Sequence, residues 1–252
     1  MNQQSAERII ANAAKCQTIY QGFCQNCQQL PRFARSFHLR PTGDGVTIVS
    51  TLPYAPMRGI AVSCAGLDQA LRALDRDLSQ LLQVQAGRAA AQLSAHGFHV
   101  RANPNDSLEE AAQAAFIRGM IEGEPQYEGI QFLASELNLE EANRLDVVGV
   151  KENILYLFEL KKGRTTRVFQ QVAGYVRHVQ HYLPLFQRLL QSYPALCQVP
   201  ALQAVQGVAV LRQAENTRQA AWTQSIQDTG VSVWFYRPAL AFEKWNPVQA
   251  DG

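Results

Sequence analysis

"LYLFELKKG", residues 155–163, carries an apolar run straight into Glu159, Lys161 and Lys162. Read as a β-strand, the segment alternates: Ile154, Tyr156, Phe158 and Leu160 face one way, and Leu155, Leu157, Glu159 and Lys161 the other. "NRLDVVGV", 143–150, reads as a preceding strand joined to it through a tight turn at "KEN", and "IQFLASEL", 130–137, as the strand before that. Pairing through so short a turn predicts that Asp146 lies near Glu159. Two carboxylates and a lysine then converge on one face.

Neighbouring carboxylates in a partly apolar setting repel each other and favour a hard divalent cation held through oxygen, with magnesium the expected ion. A lysine beside them holds a water, helps lower its pKa and stabilises charge developing on a phosphate, which is the chemistry of phosphodiester hydrolysis. The plain alternative is that Asp146 ends a strand in solvent and Glu159 with Lys161 forms an ordinary surface pair. A three-residue ExK pattern with one free position does not decide between them.

The flanking segments add weight. "TTRVFQQVAGYVRHVQHY", 165–182, is an amphipathic helix with Val168, Val172, Tyr175, Val176 and Val179 in a stripe and Gln171 one turn before Tyr175. In "SLEEAAQAAF", 107–116, Ser107 and Glu110 have capping-box spacing, while Glu109 shares a helical face with Gln113 and Phe116. From "SLEEAAQAAF" through "GYV" the chain resembles the PD-(D/E)xK, or restriction-endonuclease-like, nuclease superfamily. The resemblance implies a mixed central sheet flanked by helices and one metal-dependent catalytic site. The helix acid falls on Glu109 or Glu110, with Glu109 preferred because Glu110 serves the cap. The strand aspartate falls on Asp146, the ExK pair on Glu159 and Lys161, and the QxxxY pair on Gln171 and Tyr175. It further implies Asp146, Glu159 and the Leu160 carbonyl as ligands of Mg2+, for which Mn2+ substitutes. Lys161 would orient the attacking water, and Gln171 and Tyr175 would position the lysine or the nucleic-acid backbone. The chain departs from the pattern at "RLD", where no proline precedes the aspartate, and Glu136 is a second candidate for the upstream acid.

The remainder continues the alternation, with strands at "VQGVAVLRQ", 205–213, and "GVSVWFYRP", 230–238, and a helix through "ENTRQAAWTQSIQD" between them. Trp234 and Tyr236 read as packed core rather than a base-stacking surface. Basic residues gather around the site: Lys151, Lys161, Lys162, Arg164, Arg167, Arg177 and Arg188, with His178 and His181 nearby. Lys162, Arg164, Arg167 and Arg177 are the candidate nucleic-acid contacts, the first three lying beside a helix N-terminus.

The break at "RANPNDS" divides the chain into an N-terminal α+β domain, 1–103, and an α/β nuclease-like domain, 104–252. The first contains a helix over about 4–28, a hairpin in "FHLRPTGDGVTIVST", a short strand at "RGIAVSC" and a second helix from Leu67. Leu67, Leu71, Leu74, Leu78 and Leu81 form a seam suited to covering the hairpin or to pairing two copies. Cys24 and Cys27 form a CxxC below Cys16, but their helical spacing with Tyr20 reads as packing. His38, His96 and His99 are scattered, and nothing in their spacing makes a ligand set.

With 252 residues, 47% hydrophobic, 17% charged and a net charge of +2, the composition is that of a globular chain. With no apolar stretch of membrane-span length and no basic-then-apolar segment in "MNQQSAERIIANAAK", neither a span nor a secretory leader is expected, and the cytoplasm is the expected location. Five cysteines, an odd number, argue against a disulfide framework. The leading expectation is a magnesium-dependent endonuclease acting on DNA, with RNA an open alternative, whose N-terminal half serves homodimerisation, recognition or control. The short "ELK" and glutamine-helix motifs look like the branch holding repair endonucleases and Shedu-type phage-defence nucleases. The alternatives are a catalytically inactive protein of the same fold that binds nucleic acid or protein, and a zinc or redox protein built on Cys24 and Cys27.

Overall fold

The computed structural model describes residues 3–11, 37–41, 45–51, 57, 59–63, 107–140, 143–162, 167–192, 199–213, 219–237 and 240–245. The chain divides into two compact units, Met1–Arg118 with Arg188–Leu196, and Gly119–Gln187 with Cys197–Gly252.

The first unit contains helix α1 (Gln3–Ala11) and strands β1 (Phe37–Pro41), β2 (Gly45–Ser50) and β3 (Gly59–Ser63). The strands form an antiparallel sheet in that order, with the expected hairpin pairing Phe37 with Ser50 and Pro41 with Val46. His38, Leu39 and Val49 are buried in it. Helix α2 (Ser107–Glu122) starts at the residue with the capping-box spacing, and its Arg118 donates to the Thr51 carbonyl at 3.0 Å. The cysteine pair, Cys16, the helix from Leu67, His96 and His99 lie outside the described residues.

The second unit is a six-stranded mixed sheet flanked by helices. Its strands are β4 (Gln131–Glu140), β5 (Asn143–Lys151), β6 (Ile154–Lys161), β7 (Ala204–Arg212), β8 (Ser232–Tyr236) and β9 (Phe242–Lys244), ordered in space as in sequence. Tight connections make β4, β5 and β6 antiparallel neighbours. The parallel steps from β6 to β7 and from β7 to β8 need crossovers. These are supplied by α3 (Arg167–His181) with α4 (Leu183–Gln191), and by α5 (Gln219–Thr229). Strand β7, between two parallel neighbours, is buried without alternation from Val208 to Leu211.

Helix α3 lays Val168, Phe169, Val172 and Ala173 on one face of the sheet, against Ala209, Leu211, Val233 and Phe235. Gly207 permits this approach, because a Cβ there would lie 2.5 Å from Val172 Cγ1 and 2.8 Å from Val176 Cγ2. An aromatic cluster fills another part of the core. Tyr127 lies 5.7 Å from Trp234 and Phe158 meets Trp234 edge-on at 6.0 Å, while Tyr236 lies 5.9 Å from Phe242. Trp234 and Tyr236 are therefore core, as their alternation predicts.

Two elements go beyond the sequence expectation. The helix read through Tyr182 is followed at once by α4, whose second residue, Pro184, occupies a position where a missing N–H costs nothing. Strand β9, three residues long, is too short to show a period; Arg237 and Glu243 pair across its turn at 2.8 Å.

Candidate active site

The β5–β6 ladder runs from the Lys151–Ile154 pair to the Val147–Phe158 pair. Strand β6 stays paired to β7 as far as Lys161, opposite Leu211. Beyond Phe158 the Leu160 N–H donates to Asp146 Oδ2 at 2.7 Å. A carboxylate has thus taken the place of a strand carbonyl. The N–H and C=O of one strand residue point to the same neighbour, so the Leu160 carbonyl is directed to the side that the β5 backbone has left. The interruption continues into β4, where Glu136 adopts φ 49° between the Ser135–Val147 and Leu137–Leu145 pairs.

Glu159 is 2% exposed and stands on the same face as Asp146. Its Oε1 accepts from Lys161 Nζ at 2.7 Å and from Gln171 Nε2 at 2.9 Å, and Gln171 Nε2 also donates to Tyr175 Oη at 2.6 Å. One turn of α3 therefore reads the end of β6 through a chain of polar contacts. Burying a carboxylate this deeply is tolerated because it gains a cation and a hydrogen bond. Lys161 keeps 26% of its side chain exposed, so the ammonium sits at the boundary of the site with solvent.

Tyr175 is buried, and its phenol is pushed above the usual tyrosine range, first by desolvation and also by the charges of Glu159 and Asp146. The hydrogen bond from Gln171 and the charge of Lys161 oppose that push. The Tyr175 phenol is thus linked to Glu159 through Gln171 and lies within electrostatic reach of Asp146 and Lys161. At neutral pH it is a neutral phenol.

The structure thus gathers Asp146, Glu159, Leu160, Lys161, Gln171 and Tyr175. It treats the other sequence candidates differently. Glu109 and Glu110 are half-buried on the first turn of α2, in the first unit. Glu136 Oε2 accepts from Arg144 Nη1 at 3.1 Å, an ion pair near the surface. Lys162, Arg167, Arg177 and Arg188 are exposed, and Arg164 lies outside the described residues.

Tyr236, assigned by sequence to the core alone, also serves the site. Its Oη donates to the Lys161 carbonyl at 3.4 Å and tethers the end of β6. The only signal for this is register, since Leu211 pairs with both Lys161 and Phe235, and no local pattern reveals that.

Among the described residues no three His, Cys, Asp or Glu side chains assemble as a metal-holding group. The donors at hand are two carboxylates and the Leu160 carbonyl, all oxygen, as a hard cation that retains several waters requires. A carboxylate offers about four lone-pair sites, so the contacts at Glu159 Oε1 do not by themselves exhaust it. The chain matches no protein-family model, no curated protein and no solved structure.

Proposed function

We propose that this chain is a metal-dependent endonuclease with a restriction-endonuclease-like core, hydrolysing phosphodiester bonds in DNA in a setting such as phage defence or repair. The observation that carries the reading is the convergence of Asp146, buried Glu159 and Lys161 where β5 leaves β6, braced by Gln171 and Tyr175. Asp146, Glu159 and the Leu160 carbonyl would hold Mg2+, or Mn2+ in its place, which supplies positive charge to the phosphate oxygens. Lys161 donates to the attacking water and holds it in line with the scissile P–O bond. Gln171 fixes Glu159, so that the carboxylate opposes the lysine in one geometry. Lys162, Arg164, Arg167 and Arg177 contact the phosphate backbone. A single such site cuts one strand, and a homodimer formed through the N-terminal half would cut two.

A second reading, a binding protein that keeps this architecture without catalysis, draws on the structural roles already filled: Asp146 caps the Leu160 N–H and Glu159 neutralises Lys161. One experiment separates the two. Purified protein is incubated with supercoiled plasmid, linear duplex, single-stranded DNA and RNA in magnesium, manganese or EDTA, beside Glu159→Gln and Asp146→Asn. Asparagine still accepts from Leu160 N–H, so the fold persists. The nuclease reading expects metal-dependent cutting that both variants lose; cutting that survives in them, or is unaffected by EDTA, defeats it.

A further inference from the structure

Helix α3 extends well past the residues that touch Glu159. Gln171, Tyr175, His178 and Tyr182 follow one another at helical steps along one stripe, which rises about 1.5 Å per residue away from the carboxylates. At its far end Tyr182 is 46% exposed, the one large hydrophobic side chain exposed among the described residues. Its backbone is held from both sides: its N–H donates to the His178 carbonyl at 3.2 Å, and its own carbonyl accepts from Leu185 at 2.9 Å and Phe186 at 3.1 Å. The ring is flanked as well, by His181 edge-on at 4.5 Å and by His178 at 5.1 Å, and His178 is braced against buried Phe186 at 6.1 Å. A rigid backbone therefore presents an aromatic ring to solvent at the corner between α3 and α4. Beside the stripe, on the solvent side of the helix, Gly174 offers no side chain, and the Arg177 guanidinium lies 4.0 Å from where its Cβ would be.

We propose that Tyr182, between His178 and His181, is a stacking platform for a base of a single nucleic-acid strand whose phosphates pass Arg177 on the way to Glu159 and Lys161. This rests on the nuclease reading and deepens it by naming an unpaired strand as the form bound. Three features along α3 and the turn that ends it support that occupant: a ring suited to the face of a base, a guanidinium suited to phosphate, and continuity with the carboxylate end. A paired base inside a duplex has both faces stacked already and offers none to Tyr182. Stacking on one aromatic ring is indifferent to base identity, so the platform holds the strand without selecting a sequence.

The test measures binding apart from cleavage. Fluorescence anisotropy follows a labelled oligo-dT of about 12 nucleotides, and an oligo-U of the same length, on full-length protein carrying Glu159→Gln. A duplex of equal length serves as the comparison. Adding Tyr182→Ala should weaken Kd for the single strand by about 5- to 150-fold, the equivalent of one stacked base, with little change for the duplex. Tyr182→Phe should restore it. A 2-aminopurine placed in the strand should lose emission on binding the Tyr182 protein and keep it on the Tyr182→Ala protein, a response that a merely structural role would not produce. Equal single-strand affinity with and without the ring overturns the platform while plasmid cutting by the unmutated protein leaves the nuclease reading standing. Absence of both strand binding and cutting overturns both.

Discussion

At the residue scale, Glu159 organises the site because it is the buried charge on which the others converge. Gln171 contributes by orientation rather than charge, since its amide bridges Glu159 Oε1 and Tyr175 Oη. Gln171→Ala should lower cleavage about 10- to 100-fold while the fold is retained, the usual cost of losing a partner that orients a ligand. Steady-state rates with a circular-dichroism control check this. Tyr175 makes a prediction at alkaline pH. Its raised folded pKa means that above the ordinary tyrosine value of about 10 the unfolded chain sheds a proton that the folded state keeps. Its contribution is therefore whole below that pH and is lost as pH rises through the folded pKa. Tyr175→Phe should flatten the alkaline fall in melting temperature, leaving the part due to Tyr156, whose phenol is also raised, chiefly by burial.

At the element scale, α3 both covers the sheet and presents Gln171 and Tyr175 to the end of β6. Its distance from the sheet is set at Gly207. Val172 and Val176 are β-branched and stiff, so they cannot swing away from an added methyl. Gly207→Ala should displace α3, destabilise the protein by about 1–3 kcal/mol and depress cleavage as Gln171 loses its reach to Glu159. Urea denaturation and cleavage assays on the same sample would show it. A variant of full stability and activity would mean that α3 accommodates the methyl elsewhere. Strand β8 acts at a distance in a related way, since Tyr236 anchors the strand end that carries Lys161.

At the scale of the whole molecule, acid stability should be limited by a residue of the first unit, not of the unit that carries the proposed chemistry. His38 is buried in the first unit, and desolvation, with the charge of Arg40, lowers its pKa to about 3. Below the ordinary histidine value of about 6.5 the unfolded chain binds a proton that the folded state refuses, so stability is lost as pH falls toward the folded pKa. Melting temperature should decline already between about pH 6.5 and 4.5, above the carboxylate range, and His38→Gln should blunt that decline. An unchanged slope in the variant would place the acid sensitivity in another group. No helix among the described residues is long and apolar enough to cross a membrane.

The face-sharing of Glu159 and Lys161, the proximity of Asp146 across a tight turn, and the pairing of Gln171 with Tyr175 were legible in the sequence. Each depends on a local period, two for a strand and 3.6 for a helix, that residue spacing reveals directly. Local period carries no information about where a ladder stops or which strand follows a crossover. Only the tertiary structure decided that β5 parts from β6 after Phe158, so that Asp146 accepts the Leu160 N–H. The parallel register of β6, β7 and β8, which brings Tyr236 to Lys161, was likewise outside sequence reach. So was the corner that exposes Tyr182, because it depends on α4 starting where α3 ends. Contacts between residues far apart in the chain are chosen by packing, and packing is a property of the folded whole.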